Sequence, residues 1–120
     1  MEDRISSFED LRVWQESQIS AVMTYRLVKQ LPKDEVFGLI SQMKRAVASV
    51  SANIAEGFGR KTNKDKLQFY RIAYGSLLET KNFLYLSEKL RYISNTQLEE
   101  ILEQVVICQK LLNAFMRPLK

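Results

Sequence analysis

The stretch Asn53-Ile54-Ala55-Glu56-Gly57-Phe58-Gly59-Arg60 separates a long helical pattern from a charged turn. Upstream of it, Val36, Ile40, Met43, Val47, Val50 and Ile54 recur in steps of 4, 3, 4, 3 and 4. That is an a/d repeat, the spacing that keeps one seam of a helix against a partner helix. Two glycines within three residues then end the pattern. Gly57 or Gly59 is expected to take the left-handed conformation that closes a helix and satisfies its last carbonyls. Asn53 and Glu56 are polar but lie beside the apolar stripe, so they are expected to bond across to a neighbouring backbone. Asn53, Glu56, Gly57 and Gly59 together read as a structural helix stop rather than a ligand or catalytic site.

Within the same helix, Ala46, Ser49 and Asn53 form a second line of small side chains, which lets another helix approach closely. Lys44 and Arg45 fall mid-helix, where their stems can cover apolar surface while their charges reach water. Towards the N-terminus, Ser7-Phe8-Glu9-Asp10 resembles a helix start, with a capping serine and first-turn acids. Leu11, Trp14, Gln18, Ala21, Val22, Tyr25 and Val28 then follow helical spacing as far as Leu31. Pro32 ends that helix, and Asp34 is expected to cap the next. Trp14, the sole tryptophan, reads as a core or interface anchor.

Towards the C-terminus, Thr62 with Asp65 reads as a cap for a third helix. This helix is expected to run for roughly 42 Å. It carries two apolar lines: Leu67, Tyr70, Tyr74, Leu77 and Leu84, and Phe69, Ala73, Ser76, Phe83 and Leu90. So wide an apolar arc contacts more than one neighbour. Two readings are open: one bundle core covers both lines, or Phe69 and Phe83 lie at a subunit interface. Thr96 and Glu99 are expected to form a capping box for a fourth helix. Its heptad is Ile101, Val105, Cys108, Leu112 and Phe115, and Pro118 stops it.

The spacing thus predicts helices over 8–31, 35–57, 63–91 and 96–116, in one domain of 1–120. Four glycines and two prolines leave long uninterrupted windows, which favours an all-α class. Short connections and a/d seams point to an up-down-up-down four-helix bundle. Such a topology gathers the start of the first helix, the second turn and the end of the fourth helix at one pole. Charge is uneven along the chain: residues 1–16 carry a net −3, and residues 60–71 a net +4. Arg60, Lys61, Lys64 and Lys66 would be joined at that pole by Arg117 and Lys120, making it basic.

The same composition weighs against catalysis. Histidine is absent, which removes the Glu-x-x-His pairs of a di-iron bundle and the usual base for a serine or cysteine nucleophile. Glu99, Glu100 and Glu103 resemble half of the acidic metal site of helical nucleotide pyrophosphatases. Helix 3 offers only Glu79 and Glu88 as a counterpart, too far apart to form a second acidic pair. Cys108 occupies a core position and reads as an inert thiol. No enzyme activity, metal or cofactor is expected. A single cysteine, an acidic and polar N-terminus and the lack of a membrane-length apolar run lead to a cytoplasmic expectation.

Phe8-Glu9-Asp10-Leu11-Arg12-Val13-Trp14-Gln15, Phe37-Gly38-Leu39, Gln42-Met43-Lys44-Arg45-Ala46, Asn53-Ile54-Ala55-Glu56-Gly57 and Gln68-Phe69 occur in this order. On these residues, from about Phe8 to Phe115, the chain resembles the 23S rRNA-intervening-sequence proteins. Members of that family are similar also to the accessory variability protein of diversity-generating retroelements. The resemblance implies a bundle assembled into a ring, typically a homopentamer, and contact with nucleic acid or with a protein partner such as a reverse transcriptase.

The expected function is therefore non-enzymatic: an oligomeric bundle that binds RNA or DNA phosphates through Lys44, Arg45, Arg60, Lys61, Lys64, Lys66 and Arg71. No base-reading motif is visible, so little sequence preference is expected. The alternative is a scaffold that docks a partner enzyme. Trp14, Phe69 and Phe83 are the candidate oligomer contacts.

Overall fold

The computed structural model describes residues 4–120. Among them are four long helices: α1 (Arg12–Leu27), α2 (Leu39–Phe58), α3 (Asn63–Lys89) and α4 (Asn95–Met116), with no strand. Each packs against its sequence neighbours and α1 closes on α4, so the order around the bundle is α1, α2, α3, α4. The molecule measures 44 × 30 × 20 Å.

The α2 seam enters the core as its spacing predicts. Met43, Val47, Val50 and Ile54 are buried, whereas Val36 precedes the helix and is exposed. The small-residue line turns towards α3, the most extensive helix pairing in the bundle. There Ser76 Oγ donates to Ser49 Oγ at 2.9 Å, and Arg45 pairs with Glu79 at 2.8 Å. Leu67, Tyr70, Leu77 and Leu84 of α3 and Ile101, Val105, Cys108 and Leu112 of α4 complete the core.

The second α3 line turns inward in part. Ala73 and Ser76 are buried, and Phe83 packs partly buried on the core. The exposed large apolar residues of α3 are Ile72, Leu78, Tyr85 and Leu86, and Leu90 of the second line lies exposed just past its end.

Helix 1 departs from expectation in two respects. Phe8–Asp10 form only a 3-10 turn, held by the Asp10 carboxylate accepting from the backbone N–H groups of Ser6 and Ser7. Leu11 is extended, and the α-helix starts at Arg12. The buried face of α1 is Val13, Ser17, Ser20 and Thr24, with Leu11 buried before the helix and Val28 after it. Of the expected line, Leu11 and Val28 are thus buried and Trp14 packs half-buried on the core, whereas Gln18, Val22 and Tyr25 are exposed on the outer side. Short side chains let α1 seat closely against its neighbours. Their hydroxyls are mostly satisfied: Ser17 donates to the Val13 carbonyl, and Ser20 shares a hydrogen bond with Cys108 at 3.1 Å.

The caps also differ in detail. Asp34 lies in a separate 3-10 turn (Lys33–Glu35), and α2 starts after Gly38. The Glu35 carboxylate accepts from Leu39 N, an orphan donor of the first turn, and from Tyr92 Oη at 2.9 Å. Thr62 does cap α3, accepting from Asp65 N. The box on α4 belongs to Ser94 and Gln97, two residues earlier than the expected Thr96 and Glu99. The α3–α4 connection contains the sole positive φ among the described residues, Arg91 at 63°. Arg91 N donates to the Glu88 carbonyl and Tyr92 N to that of Ser87, the paired bonds of a Schellman close.

Candidate nucleic-acid interface and an outward groove

The helix stop at Asn53–Arg60 closes without a left-handed glycine. Gly59 is right-handed, at φ −78° and ψ −7°. The end carbonyls of α2 are met by the Lys66 ammonium, 2.7 Å from Phe58 O and 3.5 Å from Gly57 O. A cation at a helix C-terminus is also favoured by the macrodipole. Gly57 is needed for space, because a β-carbon there would lie 2.6 Å from the Tyr70 ring. Asn53 and Glu56 do not bond across to a neighbour. Asn53 donates to the Ser49 carbonyl one turn back, and Glu56 pairs with Arg60 at 3.0 Å.

These bonds divide the seven cationic candidates. Lys66 is half-buried and spends its hydrogen bonds on α2. Arg60 is paired with Glu56 and stacked 4.5 Å from the Phe69 ring centre, which covers that half-buried side chain. Arg45 is held by Glu79, and Lys44 lies 5.2 Å above the Tyr25 ring on another side of the bundle. Lys61, Lys64 and Arg71 are exposed and make no ion pair or side-chain hydrogen bond with the described residues. Arg117 belongs to a 3-10 turn (Arg117–Leu119) that packs against α3. The α2–α3 turn and the α4 terminus thus share one end of the bundle.

A second feature brings the expected Trp14 and Lys44 together with residues assigned to no expected site. The outward line of α1 and the facing side of α2 enclose an open groove of about 780 Å³. Trp14, Val22 and Tyr25 form one wall, and Ala48, Ala52 and Ala55 the floor. Trp14 meets Phe8 edge to face, with ring centres 5.2 Å apart. Arg26, Lys29 and Lys44 stand at one end. The helical spacing of the three alanines was the signal in the sequence, but the stronger seam of the same helix overshadowed it.

Among the described residues no group of three or more Asp, Glu, Cys or His side chains could hold a metal. Cys108 is buried, and burial raises its thiol pKa, keeping it protonated and unreactive. No described helix is long and apolar enough to cross a membrane.

The fold defines a small four-helix-bundle protein. Its family follows from the match of residues 9–114 to the model of the 23S rRNA-intervening sequence protein: the chain belongs to that family. A solved structure of a protein of unknown function, from the S23 ribosomal protein family of Bacteroides thetaiotaomicron VPI-5482, has the same fold. It superposes with a TM-score of 0.78 at 26% identity, over 87% of this chain and 97% of that one. No curated protein matches the chain. Neither the family description nor the neighbour's name carries an enzyme activity.

Proposed function

We propose that this protein is a non-enzymatic nucleic-acid-binding bundle that contacts RNA or DNA phosphates through its cationic pole, with little sequence preference. The observation that carries this reading is the cluster Lys61, Lys64 and Arg71, exposed and without acidic partners among the described residues, in a chain of net charge +4. Membership of a family named for a ribosomal RNA insert supports it. Arg45 and Arg60 add to the surface, because a phosphate can compete for an exposed ion pair worth at most about 1 kcal/mol. Lys44 contributes from the groove side, while Lys66 chiefly holds the helix stop. Assembly of several copies into a ring, a homopentamer by family likeness, would multiply these weak contacts.

Fluorescence anisotropy with a short structured RNA and a matched DNA duplex, over a range of salt, tests the reading. Affinity should fall steeply with salt, and K61A/K64A/R71A should reduce the logarithmic salt slope by about 3. An unchanged slope in that variant removes the pole from the proposal. Absence of binding at low salt favours the second reading, a scaffold for a partner protein, to which the outward apolar line of α1 points.

A further inference from the structure

We infer that the α1–α2 groove docks an amphipathic helix of a partner protein, apolar along one face and acidic at the end that meets Arg26, Lys29 and Lys44. The inference rests on the scaffold reading and supplies the chemistry of the partner. The apolar line that α1 keeps outside the bundle is the first ground. A helix normally turns its large apolar residues to the core, yet here Val22 and Tyr25 face outward while Ser17, Ser20 and Thr24 are buried. That outward line is matched to a shaped surface, not to bulk solvent.

The groove has the form of a helix seat. Ala48, Ala52 and Ala55 recur at steps of 4 and 3, so the floor is a shallow trough that a second helix can approach closely. From Trp14 to Lys29 along α1 the trough runs roughly 22 Å, about four helical turns. Its lining is apolar, which suits the anchoring face of a helix better than a charged backbone.

The groove's charge selects the occupant. Arg26, Lys29 and Lys44 cluster because the end of α1 lies beside the start of α2, and none is ion-paired among the described residues. The described faces of α3 and α4 complement this arrangement poorly. On α3 the exposed Ile72, Leu78, Tyr85 and Leu86 are flanked by exposed Arg71 and Lys89, which would meet the groove with like charge. On α4 the exposed Glu99, Glu100 and Glu103 have the right sign, but no large apolar side chain of that helix is exposed. The turn carrying Asp34 and the exposed Phe37 combines both characters but is too short to fill the trough. An acidic amphipathic helix from another protein satisfies both requirements.

Trp14, the sole tryptophan, lines the groove and reports on its occupancy. The probes are two synthetic helical peptides of about four turns with leucines along one face. One carries glutamates at one end, the other lysines at the same positions. The acidic peptide is expected to shift Trp14 emission and to bind about tenfold more tightly than the basic one. R26E/K29E should reverse that preference, and A52E should abolish binding with an unchanged thermal melt, since Ala52 is exposed. Equal binding of the two peptides overturns the acidic partner while leaving a docking face. Binding of neither removes the scaffold reading as well. Trp14 emission and sedimenting mass that both rise with protein concentration, with no peptide effect, would assign the groove to a second copy and overturn the inference. RNA anisotropy of A52E, measured alongside, keeps the fate of the nucleic-acid reading separate.

Discussion

A β-carbon placed on Gly57 would lie 2.6 Å from Cε1 of Tyr70, inside any tolerated contact. The Tyr70 ring is itself buried and packed against Phe115, with ring centres 4.9 Å apart, so it cannot swing clear. Gly57→Ala should therefore destabilise the bundle by about 1–3 kcal/mol through overpacking. Gly75, also within a helix, is exposed, and a β-carbon placed on it would have nothing within 4 Å. Gly75→Ala should stabilise by about 0.5–1 kcal/mol through helix propensity. Urea unfolding of the two variants checks both, and equal effects would refute the contrast.

Arg91 holds a left-handed conformation at the end of α3, where glycine is free of the β-carbon penalty. Arg91→Gly should raise the unfolding free energy by about 1 kcal/mol. Loss of stability would show that the Arg91 side chain contributes more than its backbone costs.

The α4 cap distinguishes two nearby hydroxyls. Ser94 Oγ accepts from Gln97 N at 3.1 Å, whereas the exposed Thr96 already lies inside the helix. Ser94→Ala should cost about 1 kcal/mol and Thr96→Ala less than about 0.5 kcal/mol by chemical denaturation.

Thr24 Oγ1 is buried between helices with no hydrogen-bond partner. Thr24→Val keeps the shape and removes the unsatisfied hydroxyl, so stability should rise by about 1 kcal/mol. A loss instead would point to a bridging water at this position.

Alkaline conditions should weaken the fold in a defined order. Burial raises the Cys108 thiol above 9.0 and pushes Tyr70 from 10.0 up to about 12. A raised pKa means that the native state holds its proton longer than the unfolded chain. The stabilisation is complete below the unfolded value and is lost as pH rises through the native one. Urea midpoints should fall from about pH 9, and Tyr70→Phe should flatten the part between pH 10 and about 12. An unaltered decline in that variant would assign the effect to other groups.

The a/d spacing of α2 and α4 was sufficient to place Met43, Val47, Val50, Ile54, Ile101, Val105, Cys108 and Leu112 in one core. Such a seam arises from backbone geometry within each helix and needs no knowledge of neighbours. The candidate cations were also visible as residues, but their freedom to bind was not. Lys66 and Lys61 look alike in a charge pattern, yet one reaches the α2 carbonyls and the other makes no side-chain bond with the described residues.

The sequence by itself determined four helices, the seams of α2 and α4, a cap at Thr62 and a basic segment around the second turn, because periodicity and turn chemistry are local. Only the tertiary structure decided which face of α1 meets the bundle. Periodicity shows that Trp14, Val22 and Tyr25 share a side, but close approach of neighbouring helices favoured Ser17, Ser20 and Thr24 within. The end of α2 closes without a left-handed Gly57 or Gly59, its last carbonyls met by Lys66 from another helix. Both outcomes depend on groups far away in sequence, whose distances exist only once the chain has folded.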